Sequence, residues 1–101
     1  MKSMSLSRVV VSRTGERLIT FRDAAYLTQT SVVLLDRFAD LGLIEPVGSM
    51  LRLSDLTRVT QIIRLRRDLG LNLVGAAIVL DMAAEIAQLK AQVRALQQNQ
   101  F

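Results

Sequence analysis

The stretch Ile63-Arg64-Leu65-Arg66-Arg67-Asp68-Leu69-Gly70-Leu71-Asn72-Leu73 ends one helical pattern and starts another. Gly70 follows the last apolar residue of the upstream pattern, where a helix end favours glycine. Two residues on, Asn72 can cap a new helix. Upstream, Ser54 and Asp55 are placed to open a helix whose apolar residues Leu56, Val59, Ile62, Ile63, Leu65 and Leu69 make a broad face. Downstream, Val79, Met82, Ile86, Leu89, Val93 and Leu96 recur at alternating steps of three and four, and no Gly or Pro interrupts them after Gly75. That spacing is the a/d seam of a coiled coil. Residues 73–96 would span about 36 Å at 1.5 Å per residue, too long for the distal half to pack on a small domain. The seam therefore needs a partner, and a second copy of the chain is the simplest. Met82, Ile86, Leu89, Val93 and Leu96 are the expected dimerisation residues; the competing reading folds this helix back on its own domain.

Working towards the N-terminus, residues 50–53 read as a short strand after the loop Pro46-Val47-Gly48, where a wing would sit. Before it, Ser31 caps a helix carrying Leu34, Leu35, Phe38 and Leu41, closed by Gly42. A tight polar break, Gln29 and Thr30, separates it from a helix over 21–28 that Thr20 and Asp23 open at capping-box spacing. Phe21, Tyr26 and Phe38 are expected in the core, Tyr26 least firmly because its hydroxyl wants a partner or water. Residues 8–13 and 16–20 read as two short strands around the turn Thr14-Gly15. Residues 97–100 read as a frayed polar tail. The expected organisation is an N-terminal strand segment over 1–17, a winged helix-turn-helix domain over 18–72 and a dimerisation helix over 73–101.

Composition narrows the function classes. The chain has 101 residues, no Cys and no His. Thiolate chemistry, disulfides, imidazole bases and the usual zinc ligand sets are therefore excluded. No Ser or Thr stands beside a base, no Gly-rich phosphate loop follows a strand, and carboxylates lack metal-ligand company, so neither an enzyme nor a cofactor is expected. No apolar run reaches the roughly 18 residues of a spanning helix, and residues 1–7 do not read as a secretory signal. A cytoplasmic protein is expected.

The order of a winged helix-turn-helix, a helix ending in arginines and Leu-Gly, and a long dimerising helix resembles the MerR superfamily. The matching residues are Phe21-Arg22-Asp23-Ala24-Ala25, Ser31-Val32, Gly42-Leu43-Ile44-Glu45-Pro46 and the 63–73 stretch. The fold class so implied is mainly α, with short N-terminal β strands and a long C-terminal coiled-coil helix. Within it, small size, the junction and the run Asp81-Met82-Ala83-Ala84-Glu85-Ile86-Ala87-Gln88-Leu89-Lys90 are similar to the chaperone-modulator family, CbpM. That resemblance implies binding to the J-domain of a DnaJ-like (Hsp40) co-chaperone and inhibition of it.

Two positions where the regulator pattern offers basic residues are Val33 and Asp36 here. Asp36 and Asp40 share a helical face at i, i+4, with Glu45 soon after. Between Leu18 and Met50 the acids Asp23, Asp36, Asp40 and Glu45 outnumber Arg22 and Arg37, leaving −2 where DNA would lie. Such a surface repels phosphate and suits a basic partner, and the resemblance implies one: the basic second helix of a J-domain, leading to the His-Pro-Asp loop where Hsp70 docks. The expected partner-binding residues are Asp36, Asp40 and Glu45, with Arg22 and Arg37 tuning the patch; the plainer reading is a solvated face with local ion pairs. The alternative class is a MerR-type DNA-binding regulator using Arg52, Arg58 and Arg64, from a segment 52–67 that carries +4. No aromatic residue interleaves those arginines, so stacking on single strands is unsupported.

Overall fold

Thr20 ends a strand and starts a helix at once. Its hydroxyl accepts the Asp23 backbone N–H at 3.1 Å, which begins α1 (Phe21–Thr28) directly after β2 (Arg17–Thr20). The computed structural model describes residues 9–99. The segment read as lacking a secretory signal, the first residue of the first predicted strand, and Gln100 lie outside the described residues. In chain order the elements are β1 (Val10–Val11), β2, α1, α2 (Val32–Asp40), β3 (Met50–Arg52), α3 (Leu53–Leu69) and α4 (Leu73–Asn99).

β1 pairs antiparallel with β2 as the predicted hairpin, and β2 pairs antiparallel with β3 in the register Leu18↔Arg52, Ile19↔Leu51, Thr20↔Met50. The wing is thereby stitched to the N-terminal sheet. Its tip is a tight turn through Gly48, with Val47 and Met50 exchanging backbone hydrogen bonds of 2.8 and 3.1 Å. The register places Ile19 and Leu51 on the inner face, where they join Ala24, Ala25, Leu35, Phe38, Ile44, Val59, Ile62, Leu73, Ala76 and Ala77 in one core. Ala24 and Ala25 of α1 and Ala76 and Ala77 of α4 are buried in this core, and Phe38 is its largest fully buried side chain.

Four local expectations are corrected. α3 starts at Leu53, ahead of Ser54 and Asp55, and its N-cap Arg52 makes no side-chain cap bond. The ladder to Leu18 holds Arg52 extended, so the helix begins at the next residue. Tyr26 is 52 % exposed and lies outside the core. Leu41 and Leu69 are likewise exposed, because the domain is too small to cover a whole apolar stripe on each helix. Residues 97–99 remain helical to the end of α4.

The junction behaves as its residues dictate. Gly70 adopts φ +66° and closes α3 through its N–H to the Arg66 carbonyl. Asn72 Oδ1 accepts the Gly75 N–H at 2.7 Å and opens α4. The two helices are bent by 108° across this break, so α4 leaves the domain and accounts for the long dimension of a 58 × 36 × 27 Å molecule. No single helix among the described residues is long and apolar enough to cross a membrane.

Candidate partner-binding surface

α1 and α2 bury one face each against the core and turn the other outward. The connection is tight. Gln29 takes a left-handed conformation (φ 57°), Thr30 N–H returns to the Ala25 carbonyl at 2.9 Å, and the Thr28 hydroxyl donates to the Ala24 carbonyl at 2.7 Å. Ser31 Oγ then accepts the Leu34 N–H at 3.1 Å and sets the phase of α2. With Leu35 and Phe38 fully buried, Val33, Asp36, Arg37 and Asp40 fall on the outer side, and all four are exposed.

Among the described residues, Asp36 and Asp40 make no ion pair, either with Arg22 or with Arg37. Arg37 instead lines a groove with Leu34, Leu41, Arg66 and Val74, which brings it beside α3 and the root of α4. Arg22 is exposed on α1. Glu45 is exposed at the base of the wing, where its charge is felt by Asp55 and its carbonyl accepts Arg52 Nη1 at 2.6 Å. Asp23 behaves differently from the other acids: it is buried and engaged. The exposed balance from Leu18 to Met50 is therefore −1, since Asp23 no longer counts.

One apolar residue belongs to this surface and was not picked out as such from the sequence. Val33 is 78 % exposed, the most open large apolar side chain among the described residues; Tyr26 stands open on α1. The signal for Val33 was present: it lies outside the Leu34, Leu35, Phe38 and Leu41 set, on the same stripe as Asp40.

The basic segment is pinned more than its sequence suggests. Arg52 Nε donates to Glu16 Oε2 at 2.5 Å and its Nη1 to the Glu45 carbonyl. Arg58 Nε donates to the Leu43 carbonyl at 2.8 Å, while Nη1 and Nη2 reach both oxygens of Asp81 at 2.8 and 3.4 Å. One guanidinium thus ties the chain after α2 to α4. Arg58 also holds the Asp81 carboxyl below the usual carboxylate range, chiefly by hydrogen bonding. Asp55, between these arginines, is pushed upward by burial against their pull, and its Oδ2 has no hydrogen-bond partner among the described residues. Arg67 makes a loose pair with Asp68 at 3.6 Å, and Arg64 and Arg66 are exposed. Among the described residues, no three acidic side chains cluster in a way that could hold a metal ion.

The family described as MerR HTH family regulatory protein matches residues 19–98. This chain belongs to the MerR helix-turn-helix family. The match begins within β2 and ends one residue before the last of α4, so it takes in the helix pair, the wing strand and the projecting helix together and leaves out β1. No curated protein and no solved structure matched the chain. The outer face of α2 carries Val33, Asp36 and Asp40, all exposed.

Proposed function

We propose that this MerR-type protein is a chaperone modulator, which binds the J-domain of a DnaJ-like (Hsp40) co-chaperone and inhibits it by covering the face that Hsp70 uses. The observation that carries this reading is the outer stripe of α2. A groove-reading helix must sit between phosphates, and Asp36 and Asp40, free of ion pairs among the described residues, would meet them with like charge. The same carboxylates attract a basic helix and steer it, while exposed Val33 and Tyr26 offer apolar contact at little cost in ordering. Asp36, Asp40 and Glu45 are the recognition carboxylates, and Arg22 and Arg37 tune them.

The regulator alternative loses support from the same geometry. Of Arg52, Arg58 and Arg64, the first two hold Glu16, Asp81 and backbone carbonyls. Engaging phosphate would mean breaking those contacts, and Arg64 alone supplies little counterion release.

Inhibition is occlusion, with no chemical step and no cofactor. Residues 18–72 carry the partner surface, and residues 73–101 carry a seam through which two copies associate in the cytoplasm. The seam faces away from the domain. At about 100° per residue, Met82, Ile86, Leu89, Val93 and Leu96 point roughly 160° from the direction of Leu73, Ala76, Ala77 and Leu80, which pack on the core. Folding back would leave the seam in water.

The test is the J-domain-stimulated ATPase of Hsp70. Added chain lowers the stimulation, and excess Hsp70 restores it. Stimulation unchanged at saturating chain contradicts the proposal.

A further inference from the structure

The bend at Gly70 makes a corner between α3 and α4, and α2 closes one side of it. Leu34, Arg37 and Leu41 stand at i, i+3 and i+7, so they run along one flank of α2. Arg66 in the last turn of α3 and Leu73 and Val74 in the first turn of α4 join that flank around a groove of about 350 Å³. Its lining is largely apolar. Leu73 is buried and Leu34 half-buried, while Leu41 and Val74 remain 40 % and 42 % exposed.

The charge of the groove has one sign. Arg37 and Arg66 are exposed, and neither makes an ion pair among the described residues. Arg37 has Asp36 beside it in the chain and Asp40 one turn on, yet pairs with neither. Asp68, the acid nearest Arg66 in sequence, goes instead to Arg67. No acid among the described residues lines the groove. Two guanidiniums therefore border open leucine and valine side chains with no counter-charge.

Each half of this arrangement excludes a class of occupant. A phosphodiester backbone would satisfy the arginines and leave Leu41 and Val74 in water. Asp36 and Asp40, on the adjoining stripe of α2, would also repel a polyanion that runs past the groove. A wholly apolar segment would cover the leucines and desolvate the arginines without a partner. Carboxylates next to an apolar side chain satisfy both halves, because guanidinium takes carboxylate through paired, charge-assisted hydrogen bonds.

We propose that this groove docks an acidic, apolar peptide segment of a partner protein, with an apolar side chain against Leu41 and Val74 and carboxylates on Arg37 and Arg66. This surface is separate from Asp36, Asp40 and Glu45 and goes beyond the J-domain reading, since its occupant carries the opposite charge.

The probe is a labelled, end-blocked, helix-forming peptide of Ala, Glu and Leu, with two leucines at i, i+4 flanked by glutamates. Fluorescence anisotropy with the full chain at low salt should show saturable binding with a dissociation constant on the order of 10–100 μM, weakening as salt rises. Peptides with Gln for Glu, or with Ala for Leu, should each bind about tenfold more weakly, and they leave the chain untouched. Arg37→Gln with Arg66→Gln should cost about tenfold with unchanged circular dichroism, and Arg64→Gln, an exposed arginine off the groove, less than about twofold.

Four results would overturn the proposal. One is no saturation up to about 1 mM peptide. Another is equal binding of the Ala-for-Leu peptide, or equal loss in Arg64→Gln, which reduces the effect to net charge. A third is duplex DNA that displaces the peptide and itself depends on Arg37 and Arg66, which makes the groove a phosphate site. The last is a fall in mass by light scattering on Arg37→Gln with Arg66→Gln, which gives the groove to a second copy of the chain.

Discussion

Replacing Arg58 with alanine removes three contacts at once, and their worth can be estimated separately. The hydrogen bond from Nε to the Leu43 carbonyl is partly buried at 2.8 Å, and its loss strands an acceptor that a charged donor had satisfied. That costs about 2 kcal/mol. The pair with Asp81 is solvent-facing, with the carboxylate side chain 62 % exposed, and contributes only about 0.5 kcal/mol. Together, Arg58→Ala should destabilise the fold by about 2.5 kcal/mol, a fall in Tm of roughly 10–20 °C for a domain of this size. Asp81→Asn should cost only about 0.5 kcal/mol, or roughly 2–4 °C. Thermal and urea unfolding at one fixed protein concentration measure both, the fixed concentration being needed because the proposed dimerisation would shift apparent stability. If Arg58→Ala costs no more than Asp81→Asn, the tether to Leu43 is not holding the fold, and the argument that Arg58 is withheld from other partners fails with it.

Other outcomes follow from the same geometry. Asp36→Arg with Asp40→Arg should weaken J-domain binding by tenfold or more on the order of paired charge reversals, with unchanged far-ultraviolet circular dichroism. Val33→Ser should leave stability within about 0.5 kcal/mol, since the side chain packs on little, yet weaken the same binding in a calorimetric titration. Leu89→Asp should yield a monomer by light scattering, and an unchanged mass removes the seam from the interface. Asp81 and Asp55 should move stability in opposite directions with pH. Asp81 has a folded pKa below its ordinary 3.8, so its contribution is present above about pH 3.8 and is lost as pH falls through the folded value. Asp55 has a folded pKa above 3.8, so stability declines as pH rises through that folded value. Urea unfolding from about pH 3 to about pH 6 should show the native chain gaining on Asp81→Asn and losing against Asp55→Asn as pH rises.

Local chemistry made most of the fold legible in the sequence. Thr20, Ser31, Gly70 and Asn72 are capping residues whose bonds appear where their positions demand, because a cap depends only on its own turn. The start of α3 was not legible, because a long-range ladder between Leu18 and Arg52 overrides Ser54 and Asp55. The α2 carboxylates could be placed from helical phase alone. What sequence could not give was the state of each charge. Asp23 looks the same as Asp36 in a count, yet tertiary packing buries it. Arg52 and Arg58 look like a free basic patch, yet Glu16 and Asp81 approach them from 36 and 23 residues away. Pairings over such distances leave no periodic trace.

The central claim is that the acidic and apolar face of α2 receives a J-domain. Isothermal titration of the full chain with the J-domain of a DnaJ-like protein from the same host, at physiological salt, tests it most directly. The expected result is saturable binding that weakens as salt rises and that Asp36→Arg with Asp40→Arg largely removes. No heat with any such J-domain, alongside tight and salt-sensitive binding to duplex DNA, would contradict it.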